Sequence, residues 1–102
     1  MADIEVRSSG EHVEATTGDR IVIRIPENAT TGFRWQLTDV PTLVDVVEDE
    51  LEPPSSAAPG AGATRRVTLL AREAGEGHAE LALVQPWEGE AADRFEVSLT
   101  VS

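Results

Sequence analysis

Two β-branched hydroxyl residues, Thr30 and Thr31, stand between Asn28 and Gly32, with Phe33 next, and a tryptophan, Trp87, follows Gln85 and Pro86. Between these segments lies Pro59-Gly60-Ala61-Gly62-Ala63. The chemistry such residues support is recognition. Asn28 is suited to hydrogen-bond the backbone two residues on, Gly32 to supply a positive φ, and the threonines have few rotamers to lose on binding. A stiff tip with two hydroxyls follows from that pattern. Trp87, behind a proline that cannot continue a sheet ladder and ahead of Glu88-Gly89, is expected to project from its loop, where tryptophan is a residue of binding hot spots. Glycines at 60 and 62 allow close backbone approach to a partner. They do not make a phosphate loop, which needs a Lys-Ser/Thr end and a strand-to-helix junction.

Bond-breaking chemistry is poorly supplied. A hydrolase needs a nucleophile, a base and an orienting group together. The two histidines, His12 and His78, are far apart in sequence, and each is expected on the surface or at a sheet edge. No catalytic residue is assigned. Without cysteine there is no disulfide, thiolate metal site or Cys nucleophile. Glu48, Asp49, Glu50 and Glu52 lack the Asp-x-Asp-x-Asp-Gly spacing of a calcium loop, so they promise at most an adventitious cation site. No metal site and no cofactor are expected. Asn28-Ala29-Thr30 matches the N-glycosylation sequon, which without a secretory signal is expected to stay unmodified.

The 102 residues suffice for one domain with a two-layer core, expected to span 1-102. Hydrophobic residues at 40% and charged residues at 26% are ordinary for a folded domain. A formal charge of −11, with arginine as the only cation besides histidine, repels nucleic acid and anionic membrane, so neither is an expected partner. No apolar run is long enough to span a bilayer, and Met1-Ala2-Asp3-Ile4-Glu5 lacks the start of a signal peptide. A cytoplasmic location is the default on this reading; a leader removed from the sequence would make it secreted or periplasmic.

The elements that must position the three polar segments are strands. Ile21, Ile23 and Ile25 alternate with Val22 and Arg24; Val67, Leu69 and Ala71 with Thr68 and Leu70; Phe95, Val97, Leu99 and Val101 with Glu96, Ser98 and Thr100. Weaker runs occupy 4-7, 13-16, 33-37, 43-47 and 79-84. Breaks are expected at Gly10, Gly18-Asp19, Pro26, Pro41, Pro53-Pro54, Gly75 to Gly77 and Pro86. Trp35, alternating with Phe33 and Leu37, reads as a core residue. Seven to eight short strands and no helical stripe predict an all-β antiparallel sandwich. If successive strands alternate in direction, the connections at 28-33, 53-63 and 85-89 share one end, and the turns at Pro41 and at Gly75 to Gly77 share the other.

With these pieces in order, the sequence resembles the chagasin family of inhibitors of papain-like cysteine peptidases. That family carries an Asn-Pro-Thr-Thr-Gly-aromatic loop followed by Trp, then Gly-x-Gly-Gly, then Arg-Pro-Trp. Here the counterparts are Asn28-Ala29-Thr30-Thr31-Gly32-Phe33 with Trp35, Gly60-Ala61-Gly62-Ala63, and Gln85-Pro86-Trp87. The resemblance, from about Gly18 to the C-terminus, implies an immunoglobulin-like fold and a non-catalytic inhibitor; a monomer is the default expectation. It implies that Thr30 and Thr31 enter the cleft near the catalytic Cys and His, that 60-63 lie along one wall, and that Trp87 packs against an aromatic surface on the other. Ala29, Ala63 and Gln85 depart from the pattern, replacing proline, glycine and arginine. They bear on potency and on the choice of target, and they leave room for an alternative: an immunoglobulin-like interaction module that uses the same loop edge on a partner other than a peptidase.

Overall fold

A computed structural model describes residues 2–27, 32–52, 63–85 and 90–102. Eight strands form two four-stranded sheets: β1 (Asp3–Val6), β2 (Glu11–Ala15), β3 (Arg20–Glu27), β4 (Arg34–Asp39), β5 (Val44–Glu52), β6 (Ala63–Ala71), β7 (Gly75–Val84) and β8 (Asp93–Val101). One sheet has the order β1-β3-β6-β5 and the other β2-β8-β7-β4. The expected all-β sandwich is present. Pairing is antiparallel except where the N-terminal strands join, β1 parallel to β3 and β2 parallel to β8. Consecutive strands still alternate in direction, so the parallel pairs arise because β1 and β2 each lie beside a strand an even number of places further on, β3 and β8.

Period two dictates the core. Ile21, Ile23 and Ile25 of β3, Val67, Leu69 and Ala71 of β6, and Phe95, Val97, Leu99 and Val101 of β8 are all buried, as their alternation requires. Trp35 is buried as well and meets Phe95 edge-on, with ring centroids 6.3 Å apart at 79°. β5 continues to Glu52, past the expected end at Val47. As an edge strand it is largely exposed, and its acidic residues carry no apolar alternation to mark it. Asp45, Glu48, Asp49 and Glu50 also guard this edge, where Val46, Val47 and Leu51 are exposed, against pairing with another chain.

Two expected breaks lie inside strands. Pro26 is in β3, opposite Thr64 of β6. β1 runs out at Val6, opposite Ile23, so beyond that point β3 is bordered on one side only and accommodates a residue without an N–H. Gly75 and Gly77 open β7 instead of forming a turn, which falls at 72-74. The reason is contact across the sandwich. A Cβ at Gly77 would lie 2.6 Å from Cβ of Pro41 and 3.2 Å from Cδ2 of Leu43, so the glycine lets the 39-43 connection close over the core.

This end is closed further by backbone and side chain. Asp19, between β2 and β3, accepts the Ala2 N–H on Oδ1 at 3.0 Å and the Thr16 N–H on Oδ2 at 2.9 Å. The Thr16 and Ala2 amides hold its carboxyl below the ordinary aspartate value.

Gly77→Ala is expected to force the 39-43 connection away from β7, at a cost of about 1–3 kcal/mol. Thermal unfolding followed by circular dichroism should show the midpoint fall by several degrees; an unchanged midpoint would mean that the Pro41 contact yields freely. For Asp19 the sign is fixed by its depressed folded pKa: the contribution is whole above 3.8 and is lost as pH falls through the lower folded value. Asp19→Asn should therefore lower the urea midpoint at pH 7 and lower it much less at pH 2. An equal loss at both would show that the charge is not what matters.

Candidate functional site

The strand ends that border the three polar segments meet at one end of the sandwich. Glu27, at the end of β3, is paired with Ala63, at the start of β6, and Glu52, at the end of β5, lies opposite Thr64. In the second sheet Arg34, at the start of β4, pairs with Val84, at the end of β7, and Leu83 pairs with Asp93, which opens β8. Trp35 joins the two sheets here. Its backbone N–H donates to Glu27 Oε1 at 2.6 Å, and its indole Nε1–H donates to the Pro26 carbonyl at 3.1 Å.

Of the residues singled out in sequence, Asn28, Ala29, Thr30, Thr31, Gly60, Ala61, Gly62, Pro86 and Trp87 lie outside the described residues. Gly32 has φ 81°, the left-handed conformation foreseen for it. Phe33 is half-buried ahead of β4. Ala63 belongs to β6 opposite Glu27, and among the described residues no non-glycine has positive φ. The alanine at this position therefore carries no backbone penalty. Gln85 directly follows β7 and is half-buried.

The network beneath these positions centres on two residues that the sequence reading passed over. Glu27 occupies an inward position, in phase with Ile21, Ile23 and Ile25, and its side chain is only 1% exposed. Arg65, in phase with Val67 and Leu69 and directly opposite Ile25, points the same way and is 14% exposed. Arg65 Nη2 donates to Glu27 Oε2 at 2.9 Å and Nε to Oε1 at 3.3 Å, while Nη1 reaches Asp49 Oδ1 at 3.3 Å. A carboxylate so deeply placed requires such partners. Parity was the available signal: opposite charges extending the inward register of two paired strands. Beside this cluster a groove of about 390 Å³ opens between the edge strands β4 and β5, lined by Arg34, Trp35, Gln36, Leu37, Asp49 and Arg65.

A second set of charged groups lies on the outer face of the first sheet. Arg24 bridges Glu5 of β1 and Glu52 of β5, both at 2.8 Å. Arg66 meets Glu48 at 2.8 Å and also Glu50 and Glu52. Burial pulls the Arg66 pKa down, but these three carboxylates outweigh it and the net shift is upward. The acidic run of β5 is thus engaged by arginines.

The histidines are both exposed on the outer face of the second sheet, opposite Ser98 from either side. His12 Nε2 is 3.1 Å from Thr100 Oγ1, a contact hidden by their separation in sequence. A hydroxyl and an imidazole are thereby paired, but no carboxylate is seen orienting the ring among the described residues. His78 lies with Glu80 and Glu96, their potential ligand atoms all within 4.8 Å of one another. Glu80 is already engaged: Arg94 Nη1 donates to its Oε1 at 2.8 Å and Thr38 Oγ1 at 3.3 Å. Burial alone would raise the Glu80 pKa, and the Arg94, Glu96 and Thr38 contacts together bring it below the ordinary value.

Comparison with known proteins agrees with this architecture. The model of the chagasin family peptidase inhibitors I42 matches residues 14–101. The chain is 32% identical over 98 residues to chagasin of Trypanosoma cruzi, a span covering 89% of each chain. Among solved structures it resembles the cysteine protease inhibitor EhICP2 of Entamoeba histolytica, with TM-score 0.89 at 18% identity, over 99% of this chain and 96% of that one. It also resembles PbICP-C, solved in complex with falcipain-2, with TM-score 0.62 at 15% identity over the whole of both chains. These two likenesses carry the fold, and the family match with the T. cruzi relative carries the kinship: the chain belongs to the chagasin family of peptidase inhibitors.

Proposed function

We propose that this protein is a reversible, tight-binding inhibitor of papain-like cysteine peptidases that occupies the active-site cleft with the segments 28-33, 59-63 and 85-89. The observation that carries the reading is the convergence of strand ends: Glu27 and Arg34, Glu52 and Ala63, and Val84 and Asp93 bound all three motif-bearing segments at one end. Family membership supplies the class of target. In this reading Thr30 and Thr31, behind Gly32, form the wedge, Gly60 and Gly62 give close approach along one wall, and Trp87 is the aromatic anchor on the other.

Inhibition without turnover follows from shape. A compact loop that fills the cleft offers no extended peptide bond in an attack geometry, so binding energy goes into the ground-state complex and not into a transition state. Loops fixed on a rigid sandwich also lose less freedom on association. The protein does no chemistry of its own, consistent with a family of inhibitors and not enzymes.

Titration of papain and of a cathepsin L-like peptidase should show stoichiometric loss of activity, with the inhibitor recovered intact by mass spectrometry. No inhibition across a panel of such peptidases at micromolar protein would end the reading. Trp87→Ala is expected to weaken inhibition by about 2 kcal/mol, roughly 30-fold, while the thermal midpoint stays nearly constant, as for an exposed hot spot. A large fall in the midpoint would instead place the indole in the core.

A further inference from the structure

We propose that Glu27 and Arg65 are positioning residues of the inhibitory edge, their buried ion pair clamping the base of segment 28-33 to the base of segment 53-62 through the Trp35 amide. The inference rests on the inhibitory reading above for its consequence, but its geometry stands apart from any peptidase. Glu27 is the last residue before the first segment, Trp35 lies just beyond that segment's end, and Arg65 is the third residue of β6, past the second segment. The Glu27 carboxylate holds the other two: Oε1 takes the Trp35 N–H at 2.6 Å and Arg65 Nε at 3.3 Å, and Oε2 takes Arg65 Nη2 at 2.9 Å. Asp49 of β5 completes the guanidinium from the strand that leads into the second segment.

Stability alone does not account for this choice. Two apolar side chains in the same inward positions would hold the sheets together at least as well, because a buried ion pair must offset its own desolvation. What a forked guanidinium and a two-oxygen acceptor add is direction, since three donors satisfy the carboxylate only when the strand ends keep fixed relative positions. β4 is a sheet edge, so the Trp35 amide has no strand on its outer side, and Glu27 reaches it from the opposite sheet. The clamp therefore sets the span that segment 28-33 must bridge. That matters in a chain with Ala29, because the stiffness a proline would give the segment must come from its anchors.

The test uses the full-length protein and its variants Glu27→Gln, Arg65→Gln and the double substitution. Three quantities are read for each: hydrogen exchange at the Trp35 amide and through 28-33 in the free protein, the thermal midpoint, and the inhibition constant against papain. Each single variant should speed exchange at these amides and not at the central amides of β3, β6 and β8. The inhibition constant should rise roughly tenfold, the effect of one lost charged hydrogen bond, in protein still folded at the assay temperature. The double variant should lose less than the sum of the singles. A purely structural pair would lower the midpoint and leave local exchange and inhibition within twofold of the parent, and that result overturns the proposal. If the parent inhibits no member of the peptidase panel, the inhibitory reading fails while exchange still decides the clamp: local acceleration upholds it, unchanged exchange refutes it. Should Arg65→Gln not fold, Glu27→Asp, which keeps the charge and shortens its reach, is judged by the same criteria.

Discussion

The carboxylate of Glu27 is placed by strand parity where the core should be apolar, and the strand ends around it are arranged to meet that fact. It follows Ile25 by two residues, so it cannot point to solvent without breaking the register that buries Ile21 and Ile23. Its partners must come to it. Arg65 does so from the neighbouring strand of the same sheet, and the Trp35 amide does so from the opposite sheet. Because Trp35 is also packed on Phe95 of β8, the polar network is continuous with the apolar core beneath it. The opposite end of the sandwich is closed differently, by the near-contact of Pro41 and Leu43 with the glycines of β7 and by Asp19 gathering two amides. Close apolar packing and a surface carboxylate close that end, whereas a buried ion pair holds the other.

Part of the excess of acidic residues behind the charge of −11 lies on the outer face of the first sheet, where arginines engage it. On the outer face of the first sheet, Arg24 and Arg66 stand directly opposite each other, a like-charged cross-strand pair that would be unfavourable alone. Glu5 on one flank and Glu48, Glu50 and Glu52 on the other convert it into a ladder running across all four strands. Exposed members of such a ladder contribute little individually. Their collective effect is to keep the acidic edge strand β5 in register and to leave its outer rim charged, which discourages pairing with a second chain.

Where a strand had one buried face, the sequence announced it. The isoleucines of β3 and the Phe95 to Val101 series gave both the element and its inward side, and chain direction alone then brought the three polar connections to one end. The edge strands were less legible, since β5 is half acidic and the register shifts between Val46 and Glu48. Proline and glycine misled where the third dimension intervened: Pro26 is tolerated because β1 ends early, and Gly77 is needed by a residue 36 positions away in the chain (77 − 41). The family motifs could be read directly as sequence, whereas the ion pair between Glu27 and Arg65 needed the pairing of β3 and β6. Glu27 and Arg65 look like ordinary surface charges until the parity of both strands is followed to its end.

That distinction bears on how the departures at 29, 63 and 85 should be weighed. At position 63 the backbone is extended and paired with Glu27, so alanine meets no demand that glycine alone could satisfy. At position 85 the difference from the family pattern is one charge and a forked donor. At position 29 the loss is stiffness, for which proline is worth about 0.4–1 kcal/mol, or roughly a two- to fivefold change in affinity. A penalty of that size is small beside the cost of ordering a whole segment, provided both ends of the segment are already fixed. Glu27 and Trp35 fix them, one on each sheet, through a single hydrogen bond of 2.6 Å. In a chain that carries Ala29, the contact between Glu27 and Trp35 is thus a constraint on the span of the segment that does not depend on a proline within it.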